Sequence, residues 1–273
     1  MRVANIIKVL VRGGGDLASG AIVRLARVGF EVLVLELPQP LAVRRLVSFA
    51  QAVYDGSTNV EDIRARLADT SEKARQILAG GEVAVMVDPM GESAKWYQPD
   101  VILDARMMKS EVKDNPRGEV FLIGLGPGFR VAQNCDAVVE TMRGPFLGRV
   151  LWEGTAEEDT GLPDWVGPMR SERVIRSSQD GFFHARARIG DHLFPGELIG
   201  QVGDLALDAP FEGILRGLIQ DGLKVSKGLK IGDLDPRLDP RIYRMVSDKA
   251  LAGGGGVLEA ILSYPDLQKK IWK

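Results

Sequence analysis

Residues 11–36 read VRGGGDLASGAIVRLARVGFEVLVLE: an apolar run breaks on glycines, a helical pattern follows, and a second apolar run ends on an acid. Residues 6–11 are rich in β-branched side chains and stop at Arg12 and three glycines, as a buried strand entering a turn does. Leu17, Ala21, Ile22, Leu25 and Val28 recur at three- and four-residue steps, which predicts a helix over 17–28 with Gly29 as its C-terminal cap. Residues 31–35 then predict a second strand, so the unit reads β-α-β. Gly13, Gly15 and Ala18 form G-x-G-x-x-A at the strand-to-helix junction, with Gly14 between the two glycines. The first glycine permits the tight turn, the second lets backbone approach a pyrophosphate, and the small third residue packs helix on strand. The helix start offers free N–H groups to an anion. Glu36 falls about 20 residues further on, where a dinucleotide-binding acid meets a ribose hydroxyl.

The same letters also suit a plain glycine turn that binds nothing. Asp16 places a carboxylate close to where phosphates would sit, so it reads either as a helix cap or as the holder of a bridging cation. Further strands are predicted at 83–87, 101–103 and 120–123, with helical patterning over 60–78. This alternation predicts a mostly parallel sheet, whose ligands gather at the carboxyl ends of the strands. Those ends carry Glu36, Asp88, Asp104 and the loop GLGPG, residues 124–128, with Gly126 and Gly128 among its glycines. Arg106 and Lys109 follow Asp104 and supply positive charge for a phosphate or an anionic substrate. Arg44 and Arg45 read either as a second clamp or as a solvated face. GLGPG reads either as a backbone cradle or as a rigid connector.

The second half carries a repeat. Residues 181–203 match 213–235 without a gap: Gly181 with Gly213, Gly190 with Gly222, Gly196 with Gly228, Ile199 with Ile231 and Gly200 with Gly232. Leu193 stands in register with Val225. Each copy predicts short strands around a glycine turn, and two such copies suit interlocked β motifs sharing one core. The pattern resembles the biotinyl and lipoyl carrier fold, the barrel-sandwich hybrid. Carriers modify a lysine on the hairpin joining the copies; here the joint, VGDLALDAP at 202–210, has none, which removes a swinging-arm role. After the repeat, glycines 253–256 precede a helix predicted over 257–262. They read as an anion-cradling loop or as a turn that lets the last helix pack back on the N-terminal sheet.

The fold class expected is therefore α/β: a Rossmann-like parallel-sheet domain over 1–150, a barrel-sandwich-hybrid β domain over 170–240, and a helical segment over 241–273. A net charge of −2 across 273 residues gives no basic footprint for nucleic acid. A single cysteine, Cys135, excludes an internal disulfide and suits a reducing compartment. Its neighbours Asn134 and Asp136 supply no cation to lower its pKa, so it reads as a buried apolar residue rather than a sulfur or selenium carrier. With two histidines and one cysteine, no metal-ligand spacing is present. No apolar run approaches the roughly 20 residues of a membrane span, and the start lacks a leader pattern, so a cytoplasmic location is expected. The sequence leaves catalysis and homo-oligomer formation open.

The segments RGGGDLASG, LELPQPLAVRRLVSFAQAVYDG, LDARMMKSE, GLGPGF, AVVETMRG, GLKIGDLDPR and SDKALAGGGGVLEAIL together resemble the selenium-dependent molybdenum hydroxylase maturation proteins of the YqeB type, nearly end to end. The resemblance implies an accessory factor for a molybdenum hydroxylase client, handling a nucleotide-bearing cofactor such as molybdopterin cytosine dinucleotide. One departure is Pro145 in MRGPFLGRV, where the family pattern carries histidine. Two other readings fit the residues: an NAD-dependent oxidoreductase, and a structural adaptor without a small-molecule ligand.

Overall fold

The computed structural model describes residues 6–108, 110–113 and 120–272. The chain divides into two units: residues up to 40, 48–160 and from 246 onward form the first, and residues 41–47 with 161–245 form the second.

The first unit is built on a mixed sheet of nine strands among the described residues, in the order β3-β4-β5-β2-β1-β6-β7-β8-β9. These are β1 (Lys8–Arg12), β2 (Glu31–Glu36), β3 (Ser57–Val60), β4 (Ile63–Leu67), β5 (Val83–Val87), β6 (Val101–Asp104), β7 (Phe121–Leu125), β8 (Ala137–Val139) and β9 (Val150–Leu151). The run from β4 through β8 is parallel, and β3 and β9 close the two edges antiparallel. The central strands are buried on both faces, which is why they read as unbroken runs of Val, Leu and Ile rather than alternating ones. The helices are α1 (Asp16–Arg27), α2 (Ala52–Asp55), α3 (Ser71–Ala79), α4 (Ala94–Tyr97), α5 (Asp248–Ser263) and α6 (Pro265–Ile271). Helix α1 ends in a Schellman arrangement: Gly29 (φ +83°) donates to the Ala26 carbonyl, and Phe30 donates to that of Leu25.

Two segments depart from the sequence reading. The stretch expected to be helical over 60–78 is a hairpin, β3–β4, followed by the shorter α3. Ile63, Ala65 and Leu67 alternate with Arg64 and Arg66, a period of two that the flanking helical pattern masks. Glycines 253–256 are neither loop nor turn but lie inside α5, which packs along α1. A methyl group on Gly254 would collide with the backbone of Gly20, one on Gly20 with that of Ala250, and one on Gly256 with the carbonyl of Gly148. Close backbone approach sets these residues, at a cost in helix propensity of up to about 1 kcal/mol per glycine. Arg24 fastens the pair by donating from Nε to the Leu251 carbonyl at 2.9 Å.

The second unit holds two four-stranded antiparallel sheets. One is ordered β10-β17-β15-β12 and the other β14-β13-β11-β16. Their strands are β10 (Val174–Arg176), β11 (Gly181–Ala185), β12 (His192–Leu193), β13 (Leu198–Val202), β14 (Leu205–Asp208), β15 (Gly213–Leu218), β16 (Lys224–Val225) and β17 (Lys230–Asp235). The repeat appears as strand exchange: β12 of the first copy pairs with β15 of the second, and β16 of the second pairs with β11 of the first. The registers correspond residue for residue, Leu193 opposite Gly213 and Val225 opposite Gly181. Phe183, Ile199, Val202, Leu215, Ile231 and Leu234 fill the interior.

Candidate functional site

The order in which successive strands are added reverses at β1, which has β2 on one side and β6 on the other, all three parallel. In open α/β sheets ligands bind outside the carboxyl ends of the strands at such a switch point. The residues assembled there are Arg12 from β1, Asp104 from β6, the loop Gly13, Gly14 and Gly15, and Arg106.

Gly13 has φ +89°, which a side chain rarely adopts, and its N–H donates to the Leu35 carbonyl at 2.8 Å. Gly14 is enclosed: an added Cβ would lie 2.9 Å from Val34 Cγ1 and 3.1 Å from the Ala50 nitrogen. Gly15 differs from both. It caps α1 in extended conformation, and a Cβ built on it meets nothing within 4 Å. The open face of the loop is therefore at Gly15 and the first turn of α1. Asp16 occupies the first helical position rather than the cap, where its charge suits the helix dipole.

Ser19 anchors the loop from within. Fully buried, it donates from Oγ to the Gly15 carbonyl at 2.9 Å and accepts the Phe49 N–H at 3.1 Å. The Ala50 N–H completes the clamp on the Gly14 carbonyl at 2.9 Å.

Glu36 is held by backbone N–H groups. Its carboxylate accepts the Gly14 N–H at 2.6 Å and the Leu37 N–H at 2.9 Å, and the residue is buried. Burial raises its pKa above the ordinary value, and the two N–H groups offset only part of that rise. Each carboxylate oxygen accepts one of these N–H groups and keeps acceptor capacity for a further donor.

Asp104 is fully buried and pairs in register with Arg12, whose Nη1 lies 3.9 Å from its Oδ2. Arg106 binds the same carboxylate with two groups, Nε to Oδ1 at 2.9 Å and Nη2 to Oδ2 at 2.6 Å. Two guanidinium groups thus share one carboxylate beside the glycine loop. Arg106 also covers the loop directly: its Cα would lie 3.2 Å from a Cβ on Gly13. Arg12 and Ser19 were not singled out from sequence. The available signal for Arg12 was a cation directly after the apolar run of residues 9–11 and directly before the glycines.

The GLGPG loop is closed in by neighbouring chain. Gly126 (φ +80°) donates to the Val139 carbonyl, and a Cβ there would sit 2.7 Å from Thr141 Oγ1. Gly128 (φ +94°) packs against the Ser110 carbonyl, while its own carbonyl accepts Val112 N–H and Asn134 Nδ2. Asp88, at the end of β5, accepts the N–H groups of Gly91, Glu92 and Ser93. Burial opposes its ionisation, but these donors outweigh it and hold its pKa below the ordinary carboxylate range. Lys109 lies outside the described residues. Arg45 belongs to the second unit, where it donates to the Leu218 carbonyl at 2.7 Å and to Gln220 Oε1 at 3.0 Å. Cys135 is buried. Among the described residues no group of three or more His, Cys, Asp or Glu stands in a metal-holding arrangement, and no helix is long and apolar enough to cross a membrane.

These features define an α/β chain with a glycine loop at a sheet switch point and an antiparallel β unit. The chain is 42% identical over 254 residues to the uncharacterized protein YqeB of Escherichia coli (strain K12). That alignment takes in 93% of this chain and 47% of YqeB, so the chain spans about half the length of the curated relative it matches. No protein-family model matches the chain, and no solved structure does.

Proposed function

We propose that the chain is an accessory factor in the maturation of selenium-dependent molybdenum hydroxylases, holding a nucleotide-bearing cofactor such as molybdopterin cytosine dinucleotide. In this reading the first unit is a Rossmann-like binding domain, and the second is a barrel-sandwich hybrid that docks the hydroxylase client. The observation that carries it is the open Gly15 edge of the loop, set at the switch point beside Arg12, Asp104 and Arg106. Diphosphate oxygens would accept N–H groups of the first turn of α1, with Arg106 balancing charge. The motif resemblance supplies the client and the cofactor class. Arg106 is tied to Asp104 and Glu36 to backbone, an arrangement that suits binding more than proton transfer.

The test is a thermal-shift panel of NADH, NADPH, ATP, CTP and molybdopterin cytosine dinucleotide on the wild type, Gly15→Leu and Glu36→Ala. A ligand bound only by the native state at a hundred times its dissociation constant stabilises by about 2.7 kcal/mol. The expected result is stabilisation by the cytosine compounds that disappears in Gly15→Leu. Stabilisation by NADH that is lost in Glu36→Ala would replace this reading with an NAD-dependent oxidoreductase. Silence across the panel would leave an adaptor without a small-molecule ligand.

A further inference from the structure

The second unit buries a charge cluster that the proposed function does not use. Asp233 and Asp235 stand two residues apart on β17, each with 1% of its surface exposed. Asp233 receives three cations: Arg173 Nη1 at 2.9 Å, Arg216 Nη2 at 2.8 Å and Lys230 Nζ at 3.2 Å. Asp235 receives Arg216 Nη1 at 3.2 Å and both Nε and Nη2 of Arg237, at 2.9 and 2.7 Å. Cations thus outnumber the carboxylates they share. Arg216 joins both acids because the β15–β17 ladder shifts register between Leu215 and Gly217, a bulge that re-aims the side chain between them.

Excess positive charge in a partly buried site is unfavourable unless an anion balances it. The Arg216 Nε is buried and meets no acceptor in the structure, although a buried N–H costs free energy when left unpaired. Its two Nη groups are spent on the aspartates, so the unfilled donor points to a third acceptor. Lys230 keeps 37% of its side chain in solvent, which leaves an approach from outside.

We propose that Arg216 and Lys230, backed by Arg173, form an oxyanion site that takes a phosphoryl dianion, either inorganic phosphate or the terminal phosphate of a small ester. A planar guanidinium with an unfilled Nε–H, sharing an aspartate with a partly exposed ammonium, suits tetrahedral phosphate oxygens. Asp233 and Asp235 orient the cations and do not touch the anion.

The test is titration of the full chain with sodium phosphate, and separately with cytidine monophosphate, against chloride at equal ionic strength, read by calorimetry. Saturable phosphate binding is expected, weakened roughly tenfold or more in Lys230→Met, whose exposed side chain can be lost without unfolding. Arg216→Lys, which keeps the charge but loses the Nε donor, weakens it similarly while retaining a cooperative melt. Gly15→Leu leaves it intact. In the Gly15→Leu background, tighter binding of the monophosphate than of phosphate marks an ester as the occupant, and the reverse marks the free ion. Absence of saturable binding, or equal affinity in Lys230→Met, overturns the proposal. Loss of binding in Gly15→Leu also overturns it, because the phosphate then sits at the glycine loop.

Discussion

Glu36, which ends β2 in the first unit, and Asp233, inside β17 of the second, are both buried carboxylates, yet they are solvated by opposite means. Glu36 has only backbone N–H groups, from Gly14 and Leu37, and burial prevails, so its pKa rises. For Asp233, burial also pushes upward, but Lys230, Arg216 and Arg173 overcome it and bring the pKa down to about 2. Two amide dipoles do not replace water around a charge; three full charges more than replace it. The second unit is thus held by its ionised acid, and the first tolerates its own.

The sharpest way to break this contrast is Asp233→Asn. It leaves Arg173, Arg216 and Lys230 without their shared anion and is expected to cost about 3–5 kcal/mol in urea unfolding. A loss below about 1 kcal/mol would mean the cations relax into water and the cluster is incidental. In the first unit the corresponding lesion is smaller. Ser19→Ala removes the acceptor of a buried N–H, on Phe49, and is expected to cost about 1–3 kcal/mol by the same measurement.

Acidity separates the two acids by sign. Asp233, with its lowered pKa, stabilises the fold above its unfolded value of 3.8, and that contribution is lost as pH falls from 3.8 through about 2. Glu36 is the reverse: its folded pKa exceeds the unfolded 4.5, so its ionisation erodes stability as pH rises through that interval. The difference in unfolding free energy between Glu36→Gln and the wild type should therefore shift in the variant's favour as pH climbs above 4.5. A pH-independent difference would contradict the assignment. The smallest effect on stability is expected for Gly15→Leu, about 1 kcal/mol or less, because the new side chain enters open space at a helix cap. Its effect on ligand binding should be complete.

The β1-α1-β2 unit was legible in sequence because period, glycine turn and C-terminal cap all agree there. The β repeat was legible down to its register, since Leu193 and Val225 do occupy matching places. What escaped depends on partners distant in the chain. Glycines 253–256 look like a loop by local propensity, and the close approach of Gly20 to Gly254 and of Gly148 to Gly256 shows why two of them are glycine inside a helix. The β3–β4 hairpin was lost because five alternating residues sit beside a stronger helical signal. Around the site, the glycine loop, Asp104 and Arg106 were readable. The inward turn of Glu36 was not, because nothing local states which N–H group a carboxylate will meet. Arg45 reads in sequence as part of a second clamp or as a solvated face, and its guanidinium donates to Leu218 and Gln220.

The helix that covers α1 has a consequence for how the chain is made. The hydrogen bond from Arg24 to Leu251 joins residues 227 positions apart. A ribosome therefore delivers every strand of the second unit before it delivers α5. During that interval the face of α1 around Gly20 lacks its cover, while the second unit already has residues 41–47 and 161–245. Domains usually close in the order in which they emerge. Here the order is inverted: the unit that begins first finishes last, and its nascent apolar surface must be shielded from other chains until translation reaches α5.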